Sequence, residues 1–211
     1  MRPALSIFDV DRASGPVKVL TVCTGNICRS PLSEGLLRMV LTGLPVTVHS
    51  VGTAAMVGNQ MTEQNRIIAS EFGVTDGEAH RARQLDIEHL RDADLVLALS
   101  REHRRAVVEL LPRASRHTFT LREFARLAEA SDLSELQITD AMSPERRMRE
   151  AIDLVAQLRG SLPPLADPAD DDVVDPYQRK DEIYALSAQQ IVPAVNATAR
   201  LLRGATMVGA D

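Results

Sequence analysis

Apolar positions along this chain alternate between two periods. Val17, Val19, Leu20 and Val22 form a β-branched run of strand length between Gly15-Pro16 and a glycine turn. Residues 46–51 alternate as a second strand, 94–99 read as a buried third, and 116–121 as a fourth. Between them the spacing becomes helical. Leu32, Leu36, Leu37, Val40 and Leu41 follow Ser30-Pro31, which reads as an N-cap and a first-turn proline. Further helices are predicted over 62–72, capped by Thr62 and ended by Gly73, and over 101–111, stopped by Pro112. A last long helix is expected from about 178 to 202, with Tyr184, Ala188, Ile191, Val195, Ala199 and Leu202 on one stripe and a kink at Pro193. Strand and helix in alternation predict an α/β fold: a three-layer α/β/α domain around a small parallel sheet of about four strands. Its site should lie at the carboxyl end of the first strand.

Residues 121–172 carry two more helical patterns before that last helix. Phe124, Leu127 and Ala128 mark one over 121–130, and Met148, Ile152, Val155 and Leu158 mark another over 144–159. Both are expected to pack beside the site. The stretch from Pro163 to Asp172 reads as a loop, and Asp170, Asp171 and Asp172 as its solvated acidic end, since a metal-ligand pattern is missing.

Composition narrows the class. With 211 residues, 45% of them hydrophobic, the whole chain (1–211) suits one domain with a sizeable core, preceded by an extension over residues 1–16. A net charge of −5 disfavours non-specific nucleic-acid binding. No charged-then-apolar leader and no apolar run of membrane-spanning length is evident, so no membrane partner is expected and the cytoplasm is the expected location. Two cysteines argue against a disulfide scaffold and are too few for a closed zinc site, so no metal is expected.

Those two cysteines sit in the run Val22-Cys-Thr-Gly-Asn-Ile-Cys-Arg-Ser-Pro31. A strand delivers Cys23 to a turn, and a helix leaves the turn with its N-terminus aimed back at the sulfur. Backbone N–H groups from Thr24 to Arg29 and the positive helix end form a phosphate cradle there. Thiolates are favoured at helix N-termini beside a cation, which Arg29 supplies, and its planar fork can grip two phosphate oxygens. Gly25 and Asn26 tolerate the left-handed backbone that turns N–H groups inward. Cys28 reads either as a buried small hydrophobe or as an oxidation partner for Cys23.

The string VCTGNICRSP resembles the signature loop of the low-molecular-weight protein tyrosine phosphatases of bacterial type. The resemblance continues at His49-Ser-Val-Gly-Thr-Ala54, His80-Arg-Ala-Arg-Gln-Leu85, Asp94-Leu-Val-Leu-Ala-Leu99 and Asp175-Pro-Tyr177, covering about 17–120 and 173–203. Against that family, 121–172 is an insertion with extra helices. The resemblance implies a phosphotyrosine protein phosphatase I-like fold and a hydrolase that works through a phosphocysteine, without cofactor. It makes Cys23, Arg29 and Asp175 catalytic, with Asp175 as the acid that protonates the leaving oxygen. Thr24, Gly25, Asn26, Ile27, Cys28 and Ser30 would line the phosphate site, Ser30 donating to the Cys23 sulfur, and Tyr177 would stand beside the substrate ring. Ile27 occupies a slot that holds Thr in the arm resembling phosphoarginine phosphatases, and so favours aryl phosphates. His80, Arg81 and Arg83 are expected in structural or rim roles. The implied partners are a phosphotyrosine-containing protein and a candidate tyrosine kinase, the enzyme itself being a monomer. Two alternatives stand: an arsenate reductase using an external small thiol, because the relay cysteines of the thioredoxin-coupled enzymes are absent, and a catalytically silent phosphate-binding module.

Overall fold

A computed structural model describes residues 15–139 and 141–208, so the expected extension over 1–16 lies outside the described residues except for Gly15 and Pro16. Every residue of β1 (Val17–Cys23) except Lys18 is buried. That accounts for its nearly continuous apolar character, because a central parallel strand is covered on both faces. With β2 (Val46–Gly52), β3 (Leu95–Ala98) and β4 (Thr118–Thr120) it forms a four-stranded sheet in the order β2-β1-β3-β4. All three pairings are parallel. The fourth strand is shorter than the spacing predicted, since Pro112–His117 coil into a 3-10 turn and Leu121 already opens a helix. Strand order reverses at β1, whose neighbours β2 and β3 lie on opposite sides, and this opens a crevice at the carboxyl ends of the strands.

The α-helices among the described residues are α1 (Arg29–Val40), α2 (Glu63–Glu71), α3 (Ile87–Asp92), α4 (Arg101–Leu110), α5 (Leu121–Ala130), α6 (Pro144–Gln157) and α7 (Asp181–Met207). Alternation along β1 divides the core between them. Val17, Val19 and Cys23 belong to a large cluster with residues of α1, α5, α6 and α7, whereas Leu20 and Val22 belong to a smaller one with Leu90 of α3 and Val107 of α4. The result is three layers, as the alternating pattern predicted.

Local chemistry explains the departures at helix ends. Helix α3 escapes periodicity because it has six residues; it is opened by a capping box between Asp86 and His89. Helix α7 starts later than 178 because Gln178 has φ of 57°, outside helical space. It continues past 202 through Gly204, where a Cβ would lie 2.7 Å from Leu133 Cδ1, and it runs across Pro193 without interruption. Thr62 does occupy the N-cap of α2, but its hydroxyl makes no cap bond and faces Cys28 Sγ at 3.6 Å.

The two helices expected beside the site part company. Thr120 and Glu123 close a reciprocal capping box, at 3.0 and 3.1 Å, that turns β4 directly into α5 near the carboxyl ends of the strands. Helix α6 lies at the opposite pole. Its Arg149 binds Asp94 at 3.0 and 3.2 Å and the carbonyls of Gly15 and Pro16, capping the entry of β1 and β3 to the sheet. Only α5 therefore approaches the crevice.

Candidate active site

The loop leaving β1 is shaped by where its carbonyls go. Those of Cys23, Thr24 and Gly25 accept from the N–H groups of Thr53, Ala54 and Met56, that of Asn26 from His80 Nε2, and that of Ile27 from Thr62 N–H. Five consecutive carbonyls thus turn outward. Peptide planarity then points the following N–H groups the other way, toward the concave side. The Asn26 N–H already meets Cys23 Sγ at 3.3 Å. Those of Thr24, Gly25, Ile27, Cys28 and Arg29 have no acceptor among the described residues. Close packing of β2 makes this possible: a Cβ on Gly52 would lie 2.3 Å from the Thr24 carbonyl oxygen.

Helix α1 begins at Arg29 rather than after Ser30, with Cys28 at the N-cap and no side chain capping it. Ser30 is therefore not the cap. A side-chain cap would consume the free N–H groups that make this helix end an anion site. The Ser30 hydroxyl accepts from Asn26 Nδ2 at 2.9 Å, and its proton can go to Cys23 Sγ at 2.9 Å or to the Val51 carbonyl at 3.4 Å.

Asn26 holds the loop from its centre. Its φ of 53° is left-handed, and its side chain saturates every polar atom: Nδ2 donates to Ser30 and Ser50, while Oδ1 accepts from Arg83 N–H at 2.8 Å. Ser50 in turn donates to buried Glu34 at 2.5 Å, whose charge is balanced by Arg38 at 2.8 Å and Arg83 at 3.5 Å. The Asn26 carbonyl can only accept, so the bonded His80 nitrogen carries the proton; burial lowers the His80 pKa and keeps the ring neutral. A buried network whose central Asn26 has every side-chain polar atom bonded is stiff.

Arg29 is buried, its side chain 6% exposed, and it joins the cradle to a distant segment. Nη2 meets Asp175 Oδ2 at 2.9 Å and Nη1 donates to the Val173 carbonyl at 3.2 Å, while Nε is buried with no partner among the described residues. Asp175 is half-exposed, its second oxygen accepting from Tyr177 N–H at 3.2 Å. Cys23, Asn26, Arg29, Ser30 and Asp175 are thus brought together. Tyr177 is exposed at the rim, with Met56 and Val57 exposed beside Gly25. The side chains of Ile27 and Cys28 are buried in a cluster with Ala82 and Tyr184. Burial pushes the Cys28 thiol up to about 11, partly offset by Thr62, and both cysteines are unbridged.

Several members of this arrangement were not singled out by spacing. Glu34 and Ser50 lie within an amphipathic helix and a strand, where nothing local marks them as partners of Asn26. His103 is another: Nε2 meets Thr24 Oγ1 at 2.8 Å and Nδ1 meets Ser100 Oγ at 2.9 Å. It is 3% exposed, and burial, then the Arg29 charge, push it down to about 4. A histidine three residues after the Ser100 cap of α4 was the only signal available.

A thiol at the base of an inward-facing amide cradle, one buried arginine and a carboxylate at its lip make a site suited to a phosphoryl group. The chain belongs to the family described as low molecular weight phosphotyrosine protein phosphatase, whose sequence profile matches residues 18–162. That match ends before Asp175. The protein-arginine-phosphatase of Geobacillus stearothermophilus is 40% identical over 110 residues, 52% of this chain and 72% of that relative. The low molecular weight protein-tyrosine-phosphatase Wzb of Salmonella typhi is 34% identical over 141 residues, 67% and 85% respectively. Among solved structures, Vibrio vulnificus Wzb in complex with benzylphosphonate superposes with a TM-score of 0.61 at 26% identity, covering 88% of this chain and 99% of that one. The fold and the phosphatase class follow from these likenesses together. No helix among the described residues is long and apolar enough to cross a membrane.

Proposed function

We propose that this phosphatase hydrolyses aryl phosphomonoesters, phosphotyrosine in a protein substrate above all, through a phosphocysteine on Cys23. The observation that carries the reading is the Arg29–Asp175 pair at 2.9 Å beside the amide cradle, which sets a cation for the phosphoryl oxygens next to a carboxyl for the leaving oxygen. Cys23 sulfur attacks phosphorus while Arg29 and the free N–H groups hold the equatorial oxygens. The P–O bond to the phenol breaks as Asp175 delivers a proton to that oxygen, a contribution of ~10²–10⁴-fold. Asp175, now a carboxylate, takes a proton from water as the water attacks the phosphocysteine, and the sulfur leaves toward the Ser30 hydroxyl with release of inorganic phosphate. The loop and Arg29 neutralise the charge, so the scheme needs no metal.

The apolar rim of Met56, Val57 and Tyr177 suits an aromatic ring, and Ile27 stands where the resemblance places Thr in phosphoarginine phosphatases. The Geobacillus relative gives the second reading, a phosphoarginine substrate. Phosphotyrosyl and phosphoarginyl versions of one peptide separate them. The proposal expects kcat/KM to favour phosphotyrosine about 10-fold or more, with Ile27→Thr narrowing the gap; preference for phosphoarginine would overturn it.

A further inference from the structure

Asp175 is half-exposed and sits some fifty residues of chain beyond β4, yet proton delivery tolerates little misplacement. The residues just before it explain how it is held. Val173 N–H donates to the Leu99 carbonyl at the end of β3 at 2.9 Å, and Val174 N–H to Gln190 of α7 at 2.8 Å. Asp172 is gripped from two sides. Its carboxylate accepts from the Arg101 backbone N–H at 2.7 Å and from the Arg101 guanidinium at 3.0–3.3 Å, on α4. Its carbonyl accepts from Arg122 of α5 at 3.0 Å, and Arg126, one turn further along α5, pairs with Asp171 at 3.3 Å. The acidic run 170–172 is thus largely spent on arginines. Helix α5 is seated for this by its capping box and by Phe124, which packs edge-on against Phe119 of β4 with ring centroids 5.2 Å apart.

We infer that α5 is a brace for the acid: Arg122 and Arg101, clamping Asp172 between α5 and α4, are positioning residues that hold Asp175 over the cradle. The inference rests on the proposed role of Asp175. A direct Arg122 to Asp175 contact is not required, because Val173 and Val174, tied at their N–H groups, leave one freely turning link between clamp and acid. Helix α5 thereby acts on catalysis without forming part of the substrate surface.

The test compares phenyl phosphate, whose phenolate needs a proton to leave, with p-nitrophenyl phosphate, whose leaving group needs it little. Arg122→Ala should lower kcat/KM for phenyl phosphate about 10-fold and for p-nitrophenyl phosphate at most about threefold. Competitive inhibition by inorganic phosphate should be unchanged and Arg122→Lys should restore part of the loss. In an Asp175→Asn background the same substitution should add no selective loss, since a brace acts only through what it braces. Equal losses on both substrates, no loss on either, or a full selective loss on top of Asp175→Asn would overturn the inference. Exposed Arg101→Gln, which lies outside the core, should give the same selectivity and serves if Arg122→Ala does not fold. If Asp175→Asn itself shows no leaving-group selectivity, the acid assignment fails; if it does and the arginine variants do not, only the brace fails.

Discussion

The loop from Cys23 to Arg29 and the segment from Asp171 to Tyr177 meet at one ion pair but are held in unlike ways. The loop is mostly buried and its outward side is fully bonded: five carbonyls, the Asn26 amide and two serine hydroxyls all have partners within one contiguous shell of β2, α1 and the following turns. The acid segment has little core of its own. It borrows position from four elements, through Leu99, Gln190, Arg101 and Arg122, and leaves its functional carboxyl half-exposed. The difference matches the chemistry proposed for each side. An oxyanion cradle gains from stiffness, because preorganised donors cost no reorganisation as charge develops. On the proposed mechanism, a carboxyl that gives a proton, takes one from water and parts from Arg29 when phosphate arrives needs room to move within a fixed reach.

The largest expected effect separates the two halves. Cys23→Ser should cost on the order of 10⁴-fold or more in p-nitrophenyl phosphate turnover in metal-free buffer, and the fold should survive because a hydroxyl can keep the contacts of the sulfur. Asp175→Asn should cost about 10²–10³-fold on phenyl phosphate and far less on p-nitrophenyl phosphate. Steady-state kinetics with both substrates reads each. A Cys23→Ser enzyme that retains turnover would remove the nucleophile from the scheme.

Stability should respond in the opposite order. Asn26→Ala removes three side-chain bonds and places Ala in a left-handed conformation, so roughly 2–4 kcal/mol should be lost in urea denaturation. Asn26→Gly, which keeps the backbone freedom, should recover a minority of it; near-full recovery would mean that the network matters less than the turn. Asp175→Asn should cost less stability than Asn26→Ala, since Asp175 is half-exposed and the buried Arg29 keeps its bond to the Val173 carbonyl.

The smallest expected effect concerns His103. Its pKa is depressed, so between its ordinary value of 6.5 and about 4 the unfolded chain takes up a proton that the folded protein refuses. Stability should therefore fall as pH drops through that window, by up to about 3 kcal/mol. His103→Gln, which can still bond Thr24, should flatten that part of the Tm against pH curve. An unchanged slope would assign the acid sensitivity elsewhere.

Legibility in the sequence divides along the same line as the structure. The strands and the cradle were readable because their determinants are contiguous: an apolar β-branched run marked β1, and Cys23, Gly25, Asn26 and Arg29 lie within one turn of chain. Asp175 was recognisable only by resemblance, since Asp-Pro has turn chemistry of its own. Glu34, Ser50, His80 and His103 matter through contacts made 16 to 79 residues away, which no local period records. Ser30 illustrates the limit. As Ser-Pro before an apolar helix it reads as an N-cap, whereas the fold spends its hydroxyl on the sulfur and leaves the helix end open.

The most direct test of the account is to trap the covalent intermediate. Wild type and Asp175→Asn would be mixed with p-nitrophenyl phosphate, quenched in acid within the first turnovers, and the peptide containing Cys23 weighed by mass spectrometry. The account predicts a phosphoryl adduct on Cys23, more abundant in Asp175→Asn because its hydrolysis lacks a base, and absent from Cys23→Ser. Turnover of substrate by the wild type with no adduct on Cys23 in either enzyme would contradict it.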